Sequence, residues 1–100
     1  MILYINTKDQ KQVTVALKDD KKIVESLSEQ NEYGSQVLLP LIEKLLKTMN
    51  YELKTLTSIE VETGPGSFTG LRVGVSVANA LAYSLGIPVN GKKQEKELHY

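Results

Sequence analysis

Hydrophobic and polar positions change period several times along the chain, and each change marks an element. Ile2-Leu3-Tyr4-Ile5 is a continuous apolar run, as a strand buried on both faces requires. Val13, Val15 and Leu17 alternate with Thr14 and Ala16, and Ile23-Val24-Glu25-Ser26-Leu27 follows the turn Lys18-Asp19-Asp20-Lys21. Two such runs around an Asp-Asp pair predict a hairpin, so the chain opens as a three-stranded meander. From Ser35 to Asn50 the period becomes helical, with Leu38, Leu41 or Ile42, Leu45 and Met49 on one side and Glu43, Lys44 and Lys47 on the other. Pro40 starts or kinks that helix. Residues 51–57 connect to Ser58-Ile59-Glu60-Val61-Glu62-Thr63, which alternates as a fourth strand.

The segment from Phe68 to Leu85 is ambiguous by period, because Leu71, Val73, Val75 and Val77 alternate like a strand. Its length, and its stop at Gly86 with Pro88 beyond, decide for a helix. Ile87-Pro88-Val89 begins a fifth strand, and the residues from 92 to 100 read as a charged, solvated tail after a single unit of 1–91. The class is therefore α/β. Glu60 and Glu62 point away from the face that Ile59 and Val61 offer to the helices, so one sheet face is expected to be partly wet or covered by a subunit of matching charge.

Between the fourth strand and the second helix lies Gly64-Pro65-Gly66-Ser67-Phe68-Thr69-Gly70-Leu71-Arg72-Val73-Gly74. Three glycines and a proline in seven positions demand special backbone dihedrals, and Ser67 stands where a helix N-cap belongs. A Walker A loop does not fit: five positions after Gly64 stands Thr69, and five after Gly66 stands Leu71. The dinucleotide fingerprint fails as well, since Thr69 follows Gly66 by three. The eleven residues closely resemble the GPGSFTGLRVG signature of the TsaB (YeaZ) family, which assists in making threonylcarbamoyladenosine in tRNA.

That resemblance covers about the first ninety residues and implies the N-terminal lobe of the actin-like ATPase or RNase H-like fold. The expected architecture is a five-stranded mixed sheet of order 3-2-1-4-5 with two helices on one face, as right-handed crossovers advancing in one direction require. It further implies a non-catalytic scaffold that binds a TsaD-like enzyme, with a homodimer as a second possible association and tRNA reached only indirectly. The alternatives from other classes are a nucleotide-binding phosphotransferase or ATPase of the same fold and a self-associating regulatory module.

Composition agrees with an indirect link to tRNA. Twelve basic residues balance twelve acidic ones and only one of the basics is arginine, whereas autonomous nucleic-acid binders carry a positive face. No cysteine is present, which excludes a disulfide framework and Cys-based zinc. Met1 to Ile5 is too short for a signal or membrane segment, so a cytoplasmic location is expected, with no membrane partner.

Gly70, Gly74, Ala78 and Ala82 recur every fourth residue and form one smooth helical stripe. Close packing on the chain's own sheet and contact with a partner both explain it; the resemblance favours the partner. Arg72, the single arginine, suits a structural or interface ion pair. Ser67 and Thr69 have no histidine near them, because the only one is His99 in the tail, so N-capping is the expected role of Ser67. In the first hairpin, Asn6, Thr7 and Asp9 occupy the place where actin-like ATPases carry a metal- and phosphate-binding Asp. Asn6 is a weak ligand there, so the hairpin reads as a vestigial phosphate site with no metal or cofactor implied. Tyr33-Gly34-Ser35 lacks the histidine that many family members carry before the first helix.

Overall fold

The structure is a computed structural model that describes residues 1–9, 11–30 and 37–96. Its centre is β1 (Ile2–Asn6), antiparallel to β2 (Gln12–Asp19) and parallel to β4 (Ser58–Val61); β3 (Lys22–Gln30) pairs antiparallel with β2, giving the order β3-β2-β1-β4. The register sets Leu3 between Leu17 and Ile59, and Ile5 between Val15 and Val61. One face is thereby a continuous apolar surface, on which Leu3, Ile5, Val15, Leu17 and Ile59 are all fully buried. Each such side chain contributes roughly 1.5–3 kcal/mol of transfer free energy.

Two helices cover that face. α1 (Leu38–Thr48) packs on β2 and β3, and α2 (Phe68–Leu85) packs on β4 and β1. Leu38, Leu41, Ile42, Leu45 and Leu46 are the buried residues of α1, a helical repeat that makes a single apolar stripe. Pro40 sits in the first turn, where its missing N–H leaves no intrahelical bond unmade. Ser35 and Gln36, expected to open this helix, lie outside the described residues. At its other end Asn50 takes a left-handed conformation (φ 51°), and Tyr51 N–H closes the turn on the Leu46 carbonyl at 2.9 Å.

The second sheet face is polar and partly wet, as Glu60 and Glu62 foretold. Lys18 Nζ lies 2.5 Å from Glu60 Oε1, and Tyr4 donates its hydroxyl to Glu62 Oε1 at 2.7 Å. The Lys18 ammonium also stands 5.7 Å from the Tyr4 ring centre. Burial, then the hydrogen bond to Glu62 and the charge of that carboxylate, push the Tyr4 phenol up to about 12.

The sheet corrects the expected fifth strand. Ile87-Pro88-Val89 does approach β4, but only Val89 forms a bridge, parallel to Ile59, and Val89 then pairs back on Lys92. Asn90 (φ 51°) and Gly91 (φ 77°) make a two-residue hairpin turn, with both Val89–Lys92 main-chain bonds formed at 2.7 and 2.9 Å. Asn-Gly is the strongest short hairpin signal, and it ends the strand after one residue. The expectation of a solvated tail from residue 92 also fails at Glu95, which is 5% exposed.

Candidate functional site

The signature segment forms a sealed junction between β4, α2 and the end of β1. Glu62 N–H reaches back to the Ile5 carbonyl at 3.0 Å, after which Gly64 takes a φ of 119°, open to glycine but strained for other residues. The Gly64–Pro65 peptide is cis. Ser67 caps α2 as its position predicts: its Oγ accepts from Gly70 N–H at 3.3 Å, while its own N–H donates to the Lys8 carbonyl at 2.9 Å. Gly66 faces the same residue. A Cβ there would lie 2.6 Å from the Lys8 carbonyl oxygen, so only glycine lets the turn lie against the first hairpin.

Thr7 is the residue around which this junction closes. It is 2% exposed, and its Oγ1 donates to the Gly70 carbonyl at 2.5 Å. A Cβ on Gly70 would collide with the Thr7 carbonyl oxygen, and one on Gly74 with Thr7 Oγ1. Further along the helix Ala78 is fully buried and Ala82 is 1% exposed, both in the sheet-facing core. The stripe Gly70, Gly74, Ala78, Ala82 is therefore taken up by the chain's own β1 end and sheet. The expectation that these four residues meet a partner is corrected: small side chains are needed here because Thr7 and the sheet come so near.

The other candidates fall into local roles. Asn6 Oδ1 accepts from Lys8 N–H at 3.1 Å and Asp9 Oδ1 from Lys11 N–H at 2.8 Å, so both side chains shape the hairpin. Among the described residues no three His, Cys, Asp or Glu side chains gather as a metal site. The Arg72 guanidinium lies 5.0 Å from the ring centre of Phe68, one turn earlier, and makes no ion pair among the described residues. Phe68 and Thr69 are exposed. Tyr33-Gly34-Ser35 and His99 lie outside the described residues.

Two features went unread in the sequence. The first is the outward side of α2: Arg72 is the only charged residue among eighteen, Ser76 and Ala80 are exposed, and Tyr83 is 90% exposed, while Val73 and Val77 pack against the core at its flank. Leu39 of α1 adds another half-exposed apolar side chain. A surface helix normally covers this side with charge, and the missing charges were visible in the sequence. The second is a cleft of about 960 Å³ at the C-terminal end of α2, lined by Asn79, Tyr83, Ile87, Pro88, Lys92 and Lys93, well removed from the signature turn.

These features define an α/β lobe with a glycine-sealed strand-turn-helix junction and an outward helix face whose single charge is Arg72, without an assembled catalytic set among the described residues. Known proteins show the same lobe. The family model described as TsaD: tRNA N6-adenosine threonylcarbamoyltransferase matches residues 27–91. The tRNA threonylcarbamoyladenosine biosynthesis protein TsaB of Bacillus subtilis is 35% identical over 89 residues, covering 89% of this chain and 39% of that protein. TsaB of Buchnera aphidicola subsp. Schizaphis graminum is 39% identical over 72 residues, 71% of this chain and 34% of its own. The solved structure of YeaZ from Pseudomonas aeruginosa superposes with a TM-score of 0.80 at 32% identity, over 88% of this chain and 42% of that one. The chain belongs to this family of threonylcarbamoyladenosine-biosynthesis proteins and stands with its TsaB (YeaZ) members. It spans about two fifths of the length of these relatives or less.

Proposed function

We propose that this chain is a non-catalytic lobe of the actin-like type that supports threonylcarbamoyladenosine formation in tRNA by docking on a TsaD-like enzyme. The observation that carries the reading is the outward side of α2, where one charge in eighteen residues leaves Ser76, Ala80, Tyr83 and Ser84 exposed with Arg72 as the single charge beside them. A patch of this kind on a water-facing helix fits a protein contact. The face belongs to the helix that follows the family signature. Association runs through it and the outward side of α1 on the same face of the sheet, not through the small-residue stripe. A homodimer using the same face would compete with the heterologous pair.

The chain carries no net charge, and its one arginine lies against Phe68, so tRNA contact belongs to the partner. No described helix is long and apolar enough to cross a membrane, and a cytoplasmic place follows from the tRNA substrate. The alternative, a nucleotide-handling enzyme, would need ligands from the first hairpin. There Asn6 and Asp9 are engaged in turn bonds and Thr7 in the helix contact.

The test is reconstitution of threonylcarbamoyladenosine synthesis with a TsaD-like enzyme, with and without this chain. Ala80→Glu should abolish stimulation, while Asp9→Ala should spare it. Stimulation lost with Asp9→Ala and kept with Ala80→Glu would establish the nucleotide-handling alternative.

A further inference from the structure

The two edges of the sheet end differently. At the β4 edge, Ile59 N–H donates to the Pro88 carbonyl at 2.9 Å and Asn90 N–H donates to the Ile59 carbonyl at 2.8 Å. One step further the backbone of a fifth strand is missing and the Asn90 side chain replaces it. Its Oδ1 accepts from Val61 N–H at 2.9 Å and its Nδ2 donates to the Val61 carbonyl at 3.0 Å. A carboxamide thus stands where the peptide group of the next strand would be. The same Nδ2 donates to Glu95 Oε2 at 2.9 Å. Glu95 is held in turn by Asn79 of α2, with Glu95 N–H on Asn79 Oδ1 at 2.8 Å and Asn79 Nδ2 on the Glu95 carbonyl at 2.9 Å. Lys92 Nζ lies 3.5 Å from the other carboxylate oxygen.

The opposite edge has no such closure. β3 runs for nine residues at the end of the sheet, and among the described residues its outer side makes no main-chain hydrogen bond. Ile23 and Val24 on it are 55% and 40% exposed. An open strand edge is a template for any other open edge. Joining the β3 edge of one copy to the β4 edge of another is a head-to-tail contact, which can repeat beyond a dimer as an open chain or a ring.

We propose that Asn90 and Glu95 form an edge latch that prevents β3 of a second copy from adding to β4. Asn90 is the plug, and Glu95, fixed by Asn79, keeps the plug in register. The geometry accounts for a buried carboxylate and an asparagine in a segment otherwise rich in lysine, and for Asn79 on the helix beside them.

Asn90→Gly removes the carboxamide while keeping a residue at ease with positive φ. The full chain carrying it should show amide exchange at Val61 faster by about tenfold, and sedimentation velocity should show oligomers that lengthen with concentration. Adding Ile23→Lys and Val24→Lys, charges that blunt the β3 edge, should return it to the wild-type distribution, whereas Ala80→Glu should not. Should Asn90→Gly unfold by circular dichroism, Glu95→Ala, which frees the plug without deleting it, replaces it in the same experiments. The latch is overturned if the folded variant sediments like wild type at every concentration, or if its oligomers persist with both lysines in place.

Discussion

The inner and outer sides of α2 both carry small residues, Gly70 and Gly74 within, Ser76 and Ala80 without, and these serve opposite ends. On the inner side, Gly70 and Gly74 leave room for Thr7, which is buried and bonded to the helix backbone, so smallness there is a condition of folding. On the outer side, Ala80 and Tyr83 are exposed at the wall of the cleft that Lys92 and Lys93 also line, so their lack of charge costs the fold nothing and suits a partner. A small-residue stripe marks where something comes close. It does not say whether that neighbour belongs to the same chain.

The comparison breaks most visibly at the inner side. Alanine is favoured over glycine by about 1 kcal/mol in an exposed helix interior, yet Gly70→Ala drives a methyl into the Thr7 carbonyl, which is backbone and cannot swing away. Gly70→Ala and Gly74→Leu should each destabilise by about 3 kcal/mol or more, as severe overpacking does, with loss of the far-ultraviolet helix signal on mild heating. Unchanged melting curves for both would remove Thr7 from its place against α2.

A smaller effect separates crowding from hydrogen bonding. Thr7→Ala deletes the hydroxyl donor to Gly70 and leaves that carbonyl short of a partner, at a cost of about 1–2 kcal/mol in denaturant unfolding. The same change gives room to a methyl at position 74, because the clash there is with the Thr7 side chain. Gly74→Ala should therefore do less damage in the Thr7→Ala background than in wild type, and strict additivity in that cycle would contradict the packing.

The polar sheet face touches neither side of α2 and supplies the reference for effects that belong to the lobe as a whole. Tyr4 has its phenol raised to about 12 from an ordinary value of 10, so the protonated form is favoured in the folded state. The stability this contributes is complete below pH 10 and is lost as pH rises through about 12. The stability of wild type relative to Tyr4→Phe should accordingly be constant from pH 6 to 9 and should fall between pH 10 and 12. The phenolate absorbance of Tyr4, taken as wild type minus Tyr4→Phe, should rise late in the same interval; titration near pH 10 would deny the Glu62 bond its role.

The elements that sequence revealed well are those with two independent signals. The helix Phe68–Leu85 carried a serine cap and a glycine stop as well as length, and its bounds match. The meander carried alternation and turn residues, and its order beside β4 is as expected. Val89 was misjudged because three apolar residues before Asn-Gly look like the start of a strand, whereas the turn pair allows only its first bridge. Thr7 and Glu95 were illegible as buried residues: polar side chains enter a protein interior only with partners, and those partners come from residues 63 and 16 positions away. The stripe was seen as a stripe, but helical period fixes a face and leaves open which neighbour occupies it.

Binding of a TsaD-like enzyme to Ala80→Glu tests the division of α2 most directly. Ala80 is exposed, so its stability should stay within about 0.5 kcal/mol of wild type, while a carboxylate set in the middle of an apolar contact should weaken association by roughly tenfold or more. Calorimetric titration of wild type and variant, with matched melting curves, gives both quantities on one sample. Loss of binding with the fold intact is the predicted result; full-strength binding by a folded Ala80→Glu would contradict the outward face of α2 as the docking surface.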